Sequence, residues 1–133
     1  MIAVDTNVLA RLLLKDHDRQ YRAALTLFSR KQDYTAPPTV ILELVWVLQT
    51  RGCARDEIVH GLRLLFSLRN FKPQAAEALG YALDWFESGM DFGDALHLAL
   101  AGGSEGFATF DKALGKQAGK LAVFPPVSVL TVA

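Results

Sequence analysis

The chain has one cysteine, Cys53, no apolar run approaching the roughly 20 residues of a membrane helix, and no surplus of charge of either sign. One cysteine excludes an intrachain disulfide, fits a reducing compartment, and reads as a small buried or turn residue rather than a nucleophile. No basic region precedes the first apolar stretch, and Asp5 interrupts that stretch, so a soluble, unexported, cytoplasmic protein is expected. Fourteen Lys and Arg against fourteen Asp and Glu exclude a purely electrostatic nucleic-acid binder; a polyanion needs a locally basic surface instead. A Gly-rich phosphate loop, a pair of zinc-binding cysteines and a Gly-x-Ser-x-Gly elbow are all missing, which removes the best-marked nucleotide, zinc and serine-hydrolase chemistries.

What is present is a 133-residue chain, 51% hydrophobic, without repeats, low-complexity tracts or a flexible linker, so residues 1–133 are expected to form a single domain. Met1-Ile2-Ala3-Val4 reads as a short buried strand and Val8 to Leu14 as a helix, placing Asp5 at the strand's carboxyl end. Asp16-His17-Asp18 makes a polar turn before a second helix carrying Tyr21, Ala24, Leu25 and Phe28 at helical spacing. Tyr34-Thr35-Ala36 predicts a strand, and Pro37-Pro38 leads into a third helix from about Thr39 to Arg51, ahead of Gly52. Further helices are predicted from Arg55, after Pro73 until Gly89, and from Asp91 to Ala101 before Gly102-Gly103. Gly106 to Phe110 reads as a strand, as do Leu121–Phe124 and Val127–Val132 around Pro125-Pro126. Alternating strands and helices imply an α/β fold of three layers, a central and mostly parallel β-sheet flanked by helices.

Four carboxylates stand out. Asp5 ends the first strand, where open α/β sheets place ligand crevices, although Asp5 or Thr6 also suits a helix cap. Glu43 is the only charged residue between Asp33 and Arg51, in a helix apolar on nearly every side; such a helix reads as buried. A buried ionised carboxylate needs a partner, for which a metal ion and an arginine are both candidates. In Asp91-Phe92-Gly93-Asp94-Ala95-Leu96-His97, Asp91 reads as an N-cap and Asp94 lies in the first turn. His97 shares a face with Asp94, as a hydrogen-bonded neighbour, a core histidine or a second ligand. Asp111 follows Phe107-Ala108-Thr109-Phe110 as Asp5 follows its own strand, ahead of Lys112-Ala113-Leu114. Asp5, Glu43, Asp94 and Asp111 brought together repel one another and are best accommodated near neutral pH around a cation. An oxygen-only donor set favours Mg²⁺ or Mn²⁺ over Zn²⁺.

Met1 to Leu9, Glu43 in its apolar helix, Asp91 to Ala99, and Thr109-Phe110-Asp111 together resemble the PIN domain, and within it a VapC-type ribonuclease toxin. The resemblance implies a metal-dependent endoribonuclease whose acids are Asp5, Glu43, Asp94 and Asp111, with Thr6, Asn7, Asp91 and Thr109 in supporting positions. It also implies a homodimer held inactive by a cognate antitoxin, in a toxin–antitoxin system. A carboxylate-bound Mg²⁺ or Mn²⁺ can activate water against an RNA phosphodiester, so no protein nucleophile is required. Arg11, Lys15, Lys112 and Lys116 follow the two strand ends and are the candidate RNA contacts.

Two rivals belong to other classes. An aspartyl phosphatase or phosphotransferase with Asp5 as nucleophile calls for a second acid at position 7, where Asn7 stands. A non-catalytic interaction module on the same fold has no need of the full acid set.

Overall fold

In the computed structural model, which describes residues 1–132, the elements follow in the order β1 (Ile2–Ala3), α1 (Thr6–Leu14), α2 (Asp18–Phe28), β2 (Tyr34–Thr35), α3 (Pro38–Thr50), α4 (Arg55–Ser67), α5 (Ala76–Glu87), α6 (Phe92–Leu100), β3 (Phe107–Thr109), α7 (Lys112–Leu121) and β4 (Val127–Val129). The fold is α/β with parallel strands. Hydrogen-bonded ladders form two parallel pairs, β1 with β2 and β3 with β4. Among the described residues no helix is long and apolar enough to cross a membrane. The chain divides into two compact units, Met1–Ala76 and the part from Glu77 onward.

The first unit is organised around Tyr34. In β2 it pairs with Ile2 on one side and forms a parallel bridge to Phe71 on the other. Its side chain is fully buried; the hydroxyl donates to the Leu27 carbonyl at 2.6 Å, and the ring lies 4.7 Å from that of Phe28. Leu9 and Ala10 of α1, Ile41, Leu44, Val45 and Leu48 of α3, and Ile58, Leu62 and Leu65 of α4 supply the apolar interior. Helix α3 ends where Gly52 adopts φ +84°, with the Cys53 N–H bonded to the Leu48 carbonyl and the Gly52 N–H to Gln49. These two bonds satisfy the last carbonyls, and only glycine enters this backbone region without strain. At the start of α4, the Glu57 carboxylate accepts the Ala54 N–H at 2.7 Å.

In the second unit, Leu79, Leu83, Phe86, Met90, Phe92 and Leu98 are buried, with the Phe86 and Phe92 rings edge to face at 5.6 Å. Tyr81, Trp85 and Phe124 form an aromatic cluster. Gly89, at φ +113°, closes α5 through the same pair of backbone bonds seen at Gly52. Helix α7 lies so close to β4 that a Cβ at Gly115 would collide with Val129 Cγ2.

The structure corrects three sequence expectations. The N-terminal strand is not buried: Ile2 is 48% exposed, and Val4 is the first core residue. Leu121–Phe124 is not a strand, because α7 runs to Leu121 and Ala122 caps it in the left-handed conformation. Helix α3 has an exposed stripe of Thr39, Glu43, Trp46 and Thr50, with Trp46 62% exposed. Glu43 therefore lies in solvent and needs no buried partner.

Candidate functional site

In the first unit, Asp5 is the N-cap of α1: its backbone is extended, and Oδ1 accepts the Thr6 N–H at 2.7 Å. The other oxygen, Oδ2, takes no hydrogen bond among the described residues. Thr6 is buried, and its Oγ1 has no hydrogen-bond partner among the described residues. Asn7 is exposed in the first helical turn, and Glu43 is exposed on α3 without an ion pair among the described residues.

In the second unit, Asp91 caps α6, its Oδ2 accepting the Asp94 N–H at 3.0 Å. Asp111 caps α7 in the same way, its Oδ1 accepting the Leu114 N–H at 3.0 Å. Thr109 Oγ1 accepts the Asp111 N–H at 3.0 Å, fixing the turn between β3 and α7. The Asp94 carboxyl is pushed above the ordinary carboxylate range, first by burial and then by the charges of Asp91 and Asp111, while His97 acts weakly the other way. His97 is exposed on α6, which corrects its reading as a core histidine.

The sequence thus placed Asp5, Asp91 and Asp111 correctly at the helix starts, each using one carboxylate oxygen as a cap. Within the second unit, the charges of Asp91 and Asp111 both act on Asp94. Among the described residues, no three His, Cys, Asp or Glu side chains gather tightly enough to hold a metal ion. The donor chemistry nevertheless fits a hard divalent cation: the donors are all oxygens, and among the described residues each capping acid keeps one oxygen free of hydrogen bonds.

The cationic candidates differ among themselves. Arg11 donates from Nη1 to Asp16 at 2.5 Å, and Arg51 binds the second oxygen of Asp16 at 2.7 Å. The Arg11 hydrogen bond is the main cause that lowers the Asp16 pKa. Lys15 sits 5.7 Å over the Tyr21 ring. Lys112 and Lys116 are exposed on α7. A cavity of about 510 Å³ in the first unit, between α1 and α2, is lined by Asn7, Arg11, Gln20, Leu27 and Arg30. Gln20 and Arg30 were not singled out from sequence; Ser29-Arg30-Lys31 read only as a helix end, and the signal was the basic pair itself.

No curated protein matches the chain at a significant level. The PIN domain model matches residues 2–120, a span from β1 through almost all of α7 that includes all four sequence-selected acids. By this match over most of its length, the chain belongs to the PIN domain family.

Proposed function

We propose that the protein is a Mg²⁺- or Mn²⁺-dependent endoribonuclease, the toxin of a VapBC-type toxin–antitoxin pair. PIN domains are generally nucleases and typically depend on a divalent metal. The observation that carries the reading is the PIN domain match over residues 2–120, which spans all four acids; the second unit adds a local group of acids in which burial and then Asp91 and Asp111 raise the Asp94 pKa. Asp5, Glu43, Asp94 and Asp111 are the proposed ligands and catalytic acids, with Thr6, Asn7, Asp91 and Thr109 in support. A bound divalent ion supplies Lewis acidity toward the scissile phosphodiester and its attacking water.

The chain's own residues do the positioning. The Thr6 N–H holds one oxygen of Asp5 and the Leu114 N–H one oxygen of Asp111, so each carboxylate presents its other oxygen in a fixed direction. Thr109 holds the Asp111 backbone, and Asp91 holds that of Asp94. Asp94 acts ionised, the form that its burial and then the charges of Asp91 and Asp111 disfavour and that a bound cation would favour. Arg11, Lys15, Lys112 and Lys116 are the proposed contacts to the RNA backbone. The partners in this reading are a cognate antitoxin and a second copy of the chain. An apolar groove of about 660 Å³ in the first unit, flanked by the exposed Leu25, Leu64 and Leu68, supports a protein partner, because it suits the apolar face of a helix.

The test is cleavage of structured and single-stranded RNA with Mg²⁺ or Mn²⁺ by the wild type beside Asp5→Asn and Asp94→Asn. Loss of cleavage in folded variants supports the reading, and parental rates in both contradict it. Covalent phosphate on Asp5 would point instead to phosphotransfer.

A further inference from the structure

The charge of the chain is segregated. Up to Ala76 there are eleven Lys and Arg, including all eight arginines, against seven Asp and Glu. From Glu77 onward, three lysines stand against seven acids. Neutrality of the whole therefore conceals a first unit of formal charge +4 and a second of −4. The locally basic surface that a polyanion requires is in the first unit.

Within that unit, the cavity between α1 and α2 concentrates the charge. Arg30 is exposed, lines the cavity and has no ion pair among the described residues. Arg11 lines it from α1; the Asp16 carboxylate that holds Arg11 is shared with Arg51, so one acid faces two guanidiniums. Arg11 Nε is buried and lacks an acceptor among the described residues, a condition that calls for a further partner. Among the described residues no carboxylate lines the cavity, Asn7 and Gln20 add amide groups, and Leu27 adds an apolar wall. Its volume, about 510 Å³, lies in the range of small-ligand sites and suits one nucleotide unit. Asn7 is also two residues from Asp5, in the first turn of the helix that Asp5 caps.

We propose that this cavity is a subsite for a backbone phosphate of the RNA strand, with Arg11 and Arg30 gripping the phosphate and Gln20 and Asn7 hydrogen-bonding beside it. Arginine forks match phosphate oxygens in pairs, which makes the contact directional as well as electrostatic. The subsite rests on the ribonuclease reading above and adds where the first unit holds that substrate.

The experiment is fluorescence anisotropy of a short labelled single-stranded RNA with the full chain in EDTA, where binding is read without cleavage, over a series of salt concentrations. Arg30→Gln is expected to weaken binding about three- to tenfold and to lower the salt slope by about 0.7, the share of one phosphate contact on a single strand. Arg11→Gln shifts both in the same direction. Arg19→Gln, an equal charge change on α2 away from the cavity lining, has a smaller effect on both. Thermal melts of each variant verify folding. If the wild type binds and Arg30→Gln either loses nothing or loses no more than Arg19→Gln, the subsite is wrong and the ribonuclease reading stands. If the wild type does not bind RNA, both fall together.

Discussion

Asp91 accepts the Asp94 N–H at 3.0 Å, yet its negative charge is one of the causes that keep the Asp94 carboxyl above the ordinary range. The same side chain secures the start of α6 and disfavours ionisation one turn further on. Asp111 adds to the repulsion from the cap of α7. This unfavourable arrangement of like charges is characteristic of sites that trade stability for function.

A stability–pH signature follows. The ordinary Asp value is 3.8 and that of folded Asp94 is higher, so between the two the folded protein binds more protons than the unfolded chain. Stability attributable to Asp94 therefore falls as pH rises through its folded pKa, the reverse of a salt-bridged carboxylate. Asp94→Asn should melt higher than the wild type at neutral pH in metal-free buffer, and the difference should vanish near pH 3.8 and below. Thermal melts across pH, with both proteins in EDTA, check this.

The two glycines of α7 should behave oppositely. A Cβ at Gly115 meets Val129 Cγ2, and a β-branched valine in a strand has little freedom to move aside. Gly115→Ala should cost about 1–3 kcal/mol by overpacking α7 against β4. A methyl group at Gly119 would have no neighbour within 4 Å, so Gly119→Ala should gain about 0.5–1 kcal/mol from helix propensity alone. Urea unfolding of the two variants measures both signs.

Tyr34 joins β2 to the end of α2 through its hydroxyl and the Leu27 carbonyl. Tyr34→Phe keeps the ring contact with Phe28 but removes the donor, leaving a carbonyl without that bond. The expected loss is about 1–2 kcal/mol in unfolding free energy, with RNA binding unchanged. Urea unfolding and RNA anisotropy of the variant check the two halves of this expectation.

Much of this architecture was legible in the sequence because local signals and tertiary structure agree. Pro37-Pro38 starts α3, Gly52 and Gly89 end α3 and α5 in the backbone region that glycine favours, and Asp91 caps α6 as its spacing predicts. Where the sequence misled, packing decided. Gly115 and Gly119 lower the helix propensity of α7, whose Gly115 is explained only by the approach of Val129. The apolar Leu121–Phe124 run looked like a strand, although Leu121 belongs to the helix and Ala122 caps it. Glu43 looked buried because its helix reads as apolar on nearly every side; the exposure of Trp46 shows that one face of that helix is in solvent, and Glu43 shares it. Charge segregation was present in the sequence, but the boundary near Ala76 that reveals it belongs to the fold.

The central claim is that these carboxylates hold a divalent cation for RNA cleavage, and Mn²⁺ binding at neutral pH tests it most directly. Calorimetric titration of the wild type, Asp5→Asn and Asp94→Asn, each verified as folded, should show Mn²⁺ binding in the parent and at least tenfold weaker binding in both variants, a loss that even removal of an outer-shell partner of a ligand causes. Equal Mn²⁺ affinity in all three proteins would contradict it.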